Sequence, residues 1–236
     1  AVLCVAARRE ARLKSLVDDF PGSGHSYVVT DVSDREQVER LARHVEHSYG
    51  RCDVLINNAG FGGERSPFGG VEAIPDLERV MATNFFGAVY CTAEFLPLLL
   101  RATPSNIVNV ASVAGKIALG GASAYSASKF ALVGWSESLH YELADRGICV
   151  SLVEPGFIPT EGFPQNDLLS DPILRHVVGS EDQVSATIRE AIAGRRFERT
   201  VPRWYYLAQI PRLIAPPFYR YVLGKATTRY GARLGG

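Results

Sequence analysis

The sequence predicts an α/β protein, a parallel sheet covered by helices on both faces. Two observations carry this. Short apolar runs alternate with longer amphipathic ones, as expected when each strand returns to the sheet through a helix. Near-continuous β-branched runs, such as Ile107-Val108-Asn109-Val110, have the composition of strands buried on both faces. A third observation bears on function. Polar or glycine-rich residues gather at the carboxyl ends of the predicted strands, where such sheets bind ligands.

The elements follow in order. Residues 2–7 read as a strand and 9–20 as a helix. Residues 26–30 form the second strand. The next helix opens at Ser33 with Glu36 three residues on, a capping-box pattern, and ends at Gly50. Its Val38, Leu41 and Val45 have helical spacing. Residues 53–56 are a strand and 76–101 a long helix. Residues 106–111 are the fourth strand, 125–143 a helix and 148–153 the fifth strand. The strand-end signals are Arg8, Asp31, Asn57-Asn58-Ala59-Gly60, Ser112 and Pro155-Gly156.

The length of 236 residues suits one large domain or two small ones, and 47% hydrophobic residues can fill a sizeable core. Basic and acidic residues balance at 25 each, which gives no reason to expect nucleic acid as a partner. Cys4, Cys52, Cys91 and Cys149 lie far apart without C-x-x-C spacing and read as core thiols of a reducing compartment, the cytoplasm. His44 and His47 lack partners at ligand spacing, so no metal is expected. There is no signal-peptide pattern and no uninterrupted apolar run of about 18 residues.

Tyr125 and Lys129 stand four residues apart, and Ser112 ends a strand thirteen residues before Tyr125. Helical spacing of i and i+4 puts phenol and ammonium on one face. A free phenol titrates near ~10, and a neighbouring ammonium favours its ionised form. Tyr125 could then exchange a proton with a substrate oxygen that Ser112 hydrogen-bonds. Tyr221 and Lys225 share the spacing, but Ala208 occupies the serine position and Gly224 lies inside the pair. That pair is read as a decoy.

At this point the chain resembles the short-chain dehydrogenase/reductase family. The residues that carry the resemblance are Asn57-Asn58-Ala59-Gly60, Asn84, Ser112, Tyr125-x-x-x-Lys129, and Pro155-Gly156 with Thr160, in the family's order over about residues 1–160. The resemblance implies a single Rossmann-type, doubly wound domain. Tyr125 would be the acid/base. Lys129 would hold the nicotinamide ribose and lower the Tyr125 pKa. Ser112 would orient the substrate, and Asn84 would steady a water beside Lys129. Asn58, Ala59 and Gly60 would lie along the cofactor, Asp31 and Val32 would flank the adenine, and Pro155, Gly156 and Thr160 would border the carboxamide.

One departure is large. The family's glycine-rich turn, which receives the pyrophosphate at a helix N-terminus, is absent from the given chain. The chain begins at what would be the second strand, so a strand–helix unit of roughly 30–40 residues is expected to be missing from it. An acid at the end of that second strand would select NAD. Ala7 stands there, followed by Arg8, which favours NADP. The reading is therefore an NADP-dependent oxidoreductase acting on a carbonyl or secondary alcohol. Two alternatives are a catalytically silent scaffold that binds a nucleotide or partner, and an extended epimerase or dehydratase. The latter has little room for a substrate domain after Pro155.

The outer segments are less specific. Residues 157–174 carry Phe157, Ile158, Phe163, Leu168 and Leu169, suggesting an apolar lid. We divide the chain into a catalytic domain, 1–200, and an aromatic, arginine-containing tail, 201–236. The tail either packs on protein or lies on a membrane as a peripheral contact. Apolar residues on several faces of the 76–101 and 125–143 helices, including Phe85, Phe86, Phe95, Trp135 and Leu139, predict a homodimer or homotetramer.

Overall fold

A computed structural model describes residues 1–64, 66–159 and 178–234, without the side chains of residues 208 and 226–234. The elements, in order, are β1 Cys4–Ala7, α1 Glu10–Asp18, β2 Ser26–Val29, α2 Arg35–Tyr49 and β3 Val54–Asn57. A 3₁₀ turn, Val71–Ala73, leads into α3 Ile74–Met81, a π-helical turn Ala82–Phe86 and α4 Gly87–Arg101. Then come β4 Ser105–Val110, α5 Ser123–Ala144, β5 Ile148–Pro155, α6 Glu181–Gly194 and β6 Glu198–Val201. A 3₁₀ helix Arg203–Gln209, α7 Ile210–Ile214 and α8 Pro216–Leu234 follow. The α2 cap differs from expectation. Asp34, not Ser33, is the N-cap, because its carboxylate accepts the N–H groups of Glu36 and Gln37.

All strand pairs are parallel, and helices cover both faces, as an α/β Rossmann-like fold requires. The strands fall into two sheets, β1-β2 and β3-β4-β5-β6. Among the described residues β1 pairs only with β2 and β3 only with β4, so each keeps an open edge. The division falls where the resemblance places one more strand. Ile56, an apolar residue of β3, is 45% exposed. The two sheets share a core: Cys4 and Val28 pack against the cluster formed by Leu41, Ala42 and Val45 of α2 with Phe95, Leu98 and Leu99 of α4.

Strand alternation sorts the faces. Ile107 and Val150 turn toward α2 and α4, whereas Val108 and Val153 pack on Ala191, Val184 and Ile188 of α6. Residues 71–101 form one helical run long and apolar enough to cross a membrane by length and composition. Here Val80, Asn84, Phe95, Leu98 and Leu99 of that run are buried in the body of the protein.

A polar ladder crosses this apolar layer. Asn57 and Asn109 are register partners on β3 and β4. The Asn57 amide donates to Asn109 Oδ1 at 2.8 Å and to Thr92 Oγ1 of α4 at 3.1 Å. Asn109 Nδ2 donates to Ser136 Oγ of α5 at 2.8 Å, and that hydroxyl donates to the Leu132 carbonyl at 2.6 Å. A one-residue slip would put the two amides on opposite faces of the sheet, so the ladder fixes the register of β3 against β4. Asn109→Leu strands a buried Asn57 donor. We expect a loss of about 2–3 kcal/mol, read as a lower urea midpoint at unchanged slope.

Candidate active site

The site is built where β4 leaves the sheet. Every residue of β4 is buried, and the chain continues through Ala111 to Ser112. Ser112 caps the 3₁₀ turn Val113–Gly115: its Oγ accepts the Ala114 N–H at 3.1 Å and donates to the Pro155 carbonyl at 3.3 Å. The turn seats directly on α5. A Cβ on Gly115 would lie 2.7 Å from the Lys129 carbonyl oxygen, so only glycine lets the two backbones approach this closely. The Ser112 turn and the helix carrying Tyr125 and Lys129 are thereby held together.

Tyr125 is half-buried in the first turn of α5. Lys129, one turn later, is 4% exposed. Its ammonium donates to the Val110 carbonyl at 2.9 Å and lies 5.7 Å from the Tyr125 ring centroid. No carboxylate pairs with it among the described residues. Burial pulls the Lys129 pKa down to about 8, because the charged form loses its hydration. A buried ammonium with one carbonyl partner retains donors for a hydroxylated ligand.

Asn84 sits in the π-helical turn, 1% exposed. Its Oδ1 accepts the Phe61 N–H at 2.9 Å, and its Nδ2 donates to the Phe61 carbonyl at 2.9 Å and to Ser128 Oγ at 3.0 Å. The Ser128 hydroxyl donates to the Tyr125 carbonyl at 2.7 Å. Asn84 therefore ties the turn after β3 to α5. Gly60 lies in the same corner: a Cβ there would be 3.2 Å from Asn84 Oδ1 and 3.5 Å from Lys129 Nζ. Asn58 and Ala59, just before it, are exposed.

Arg8 follows β1 with its side chain 73% exposed, its Nη1 3.7 Å from Asp31 Oδ2. Asp31 follows β2 and accepts the Ser33 hydroxyl at 2.6 Å and the Ser33 N–H at 3.0 Å. Chiefly that hydroxyl holds the Asp31 carboxyl below its usual range. Val32 leans on Gly87 at the start of α4. Pro155 ends β5, and the Gly156 N–H donates to the Val201 carbonyl at 2.7 Å. Thr160 and most of the expected lid lie outside the described residues. Ser112, Tyr125, Lys129, Asn84 and Gly60 thus gather around the end of β4, while Arg8 and Asp31 stand at the carboxyl edge of the other sheet. The decoy keeps only its pairing: Lys225 Nζ lies 4.5 Å from the Tyr221 ring centroid, both exposed on α8.

Two groups at the site were missed from sequence. Tyr205 covers Gly156 so closely that any Cβ there would overlap its ring. No spacing announces that contact. Glu154, fully buried in β5, has its carboxyl raised by burial, with Lys116 Nζ at 3.6 Å and Thr200 Oγ1 donating at 3.3 Å. The available signal was a lone acid in the apolar run Ser151-Leu152-Val153-Glu154.

The short chain dehydrogenase family matches residues 1–167. A 3-oxoacyl-[acyl-carrier-protein] reductase from Synechocystis is 32% identical over 69% of this chain and 66% of its own length. The dehydrogenase/reductase SDR family member 7B from Xenopus laevis is 32% identical over 98% of this chain and 76% of its own. Among solved structures, a short-chain dehydrogenase from Streptomyces avermitilis superposes with a TM-score of 0.77 at 27% identity, covering 97% of this chain and 89% of the other. The chain thus spans just under two thirds of the length of the cyanobacterial relative.

The Lys129 geometry has a thermodynamic consequence. Its folded pKa lies below the unfolded value, so burying the charge costs stability at all pH values below about 8, and the cost is relieved as pH rises toward 10. Lys129→Met removes the charge but leaves the Val110 carbonyl without its donor. We expect the cofactor-free variant to be about 1–2 kcal/mol more stable at pH 7. The gain should shrink between pH 8 and 10 in denaturant titrations. A variant less stable than the parent at pH 7 would contradict this account.

Proposed function

Since the chain belongs to the short-chain dehydrogenase family, we propose that it is an oxidoreductase that interconverts a carbonyl and a secondary alcohol on an apolar small molecule, using NADP(H). The observation that carries the reading is the convergence of Ser112, Tyr125 and the buried, carboxylate-free Lys129 at the end of β4. When bound, the nicotinamide cofactor would supply or accept the hydride. Tyr125 exchanges the accompanying proton with the substrate oxygen. The Lys129 ammonium stabilises the phenolate and hydrogen-bonds the ribose hydroxyls. The Ser112 hydroxyl exchanges its long 3.3 Å bond to the Pro155 carbonyl for one to the substrate oxygen. Asn84 holds the 58–61 turn against this group; both of its amide hydrogens are committed, so the water expected beside Lys129 would have to donate to an acceptor such as Asn84 Oδ1.

The cofactor residues are assigned on the same basis. Arg8, exposed at the edge of its sheet, would meet the 2′-phosphate of NADP, with Asp31 and Val32 beside the adenine. Asn58, Ala59 and Gly60 would line the ribose side, and Pro155, Gly156 and Thr160 the carboxamide. The described residues fit the two ends of a dinucleotide. Among the described residues no glycine-rich turn opens a helix to receive the pyrophosphate. A homodimer or homotetramer through α4 and α5 is supported by the exposure of Phe86, stacked on Tyr90, and of Tyr141.

The decisive experiment is a matched pair in the full-length protein. Tyr125→Phe should lower kcat by about 10²–10⁴-fold with cofactor binding retained, whereas Tyr221→Phe should stay near wild type. A silent scaffold would show no turnover to lose. Arg8→Asp should weaken NADPH binding by about 1–3 kcal/mol and leave NADH binding unharmed. Equal affinities for the two cofactors before and after substitution would remove Arg8 from the phosphate site.

A further inference from the structure

The segment after β6 has a chemistry of its own. Three helices follow one another, and each presents an apolar stripe to solvent. In the 3₁₀ helix, Trp204 and Leu207 stand three residues apart and are exposed. In α7, Ile210, Leu213 and Ile214 share one face, with Leu213 and Ile214 each 78% exposed. In α8, Phe218, Tyr221 and Val222 point outward, whereas Tyr219 and Leu223 turn toward the body and line a cleft of about 470 Å³ above Ala118 and Gly120. Exposed apolar surface of this extent calls for a covering partner.

Charge identifies the partner. Residues 199–236 contain seven Arg or Lys and no Asp or Glu. The chain is neutral overall, so residues 1–198 carry the seven balancing negative charges. The first of the three helices also closes a second cleft of about 470 Å³, lined by Arg196, Glu198, Arg199, Thr200, Arg203 and Tyr206. Arg199 Nε is buried there without a hydrogen-bond partner. The acids at its rim are already committed, Glu198 to Lys116 at 3.1 Å and Glu190 to Arg203 at 2.7 Å. Crowded guanidiniums beside an unused buried donor fit a phosphate group.

We propose that residues 196–225 form a docking surface for an anionic lipid membrane, with the stripes of Trp204, Leu207, Leu213, Ile214, Phe218 and Tyr221 entering the headgroup boundary and Arg196 and Arg199 taking a lipid phosphate. Aromatic residues mixed with Arg and Lys on short helices are the composition of a surface that lies in that boundary. A second copy of the chain is disfavoured. Tail against tail would oppose two cationic surfaces, and a tail laid on the acidic body of a second copy is the lipid-free oligomer that L213E/I214E would dissolve.

Co-sedimentation of the full chain with phosphatidylcholine vesicles, with and without phosphatidylglycerol, tests this. Wild type should partition strongly onto the phosphatidylglycerol vesicles and weakly onto the others. L213E/I214E should lose at least about tenfold on both, and R196Q/R199Q roughly thirtyfold on the anionic vesicles alone, two basic side chains at ~1 kcal/mol each. Circular dichroism should show both variants folded. Three results would overturn the proposal: no partition of wild type onto either vesicle, equal partition of L213E/I214E and wild type, or a lipid-free oligomer that L213E/I214E dissolves.

Discussion

The burial of the Lys129 ammonium organises this molecule. A cation with one carbonyl partner is costly inside a protein, and it persists only where its surroundings are held rigidly. The bond to Val110 fastens α5 to the end of β4. Gly115 lets the Ser112 turn rest on the Lys129 backbone, and Asn84 braces the third wall through Phe61 and Ser128. Loosening any of these would admit water to the ammonium and let the phenol of Tyr125 drift from it.

The rigidity comes from a layer below. The sheet that carries β4 is apolar on both faces, yet Asn57, Asn109 and Ser136 run a hydrogen-bonded line through it. Apolar packing alone tolerates small slides, because hydrophobic contacts are not directional. Amides bound in fixed directions do not. The two devices divide the work: the amide ladder holds strand register, and the register sets where β4 ends and its polar residues begin.

The two ends of the chain depart from this order in different ways. On one side β1 and β3 each keep an open edge among the described residues, and the α2–α4 cluster packs against both through Cys4 and Leu55. On the other, a cationic, apolar segment follows the last strand. Tyr205 plants it on Gly156, and Arg212 bonds the Lys116 carbonyl and stacks 5.1 Å from the Phe130 ring. The segment is thus anchored to the loop between Ser112 and Tyr125, so whatever covers its outer face also sits beside the candidate site.

The sequence by itself determined the strand–helix alternation, because the period of apolar residues is a local property, and it marked Ser112, Tyr125 and Lys129, because i, i+4 spacing and a strand end are also local. It separated Tyr125 from Tyr221 on the same grounds. The cap of α2 was misplaced by one residue, since Ser33 and Asp34 are both capping types and only geometry chooses between them. Tertiary structure alone decided what needed distant segments: the Asn57–Asn109–Ser136 line across residues far apart in sequence, Tyr205 over Gly156, and Lys116 beside Glu154. It also decided which apolar residues of the tail face water. Composition shows that such residues exist, but exposure depends on what the rest of the chain leaves uncovered.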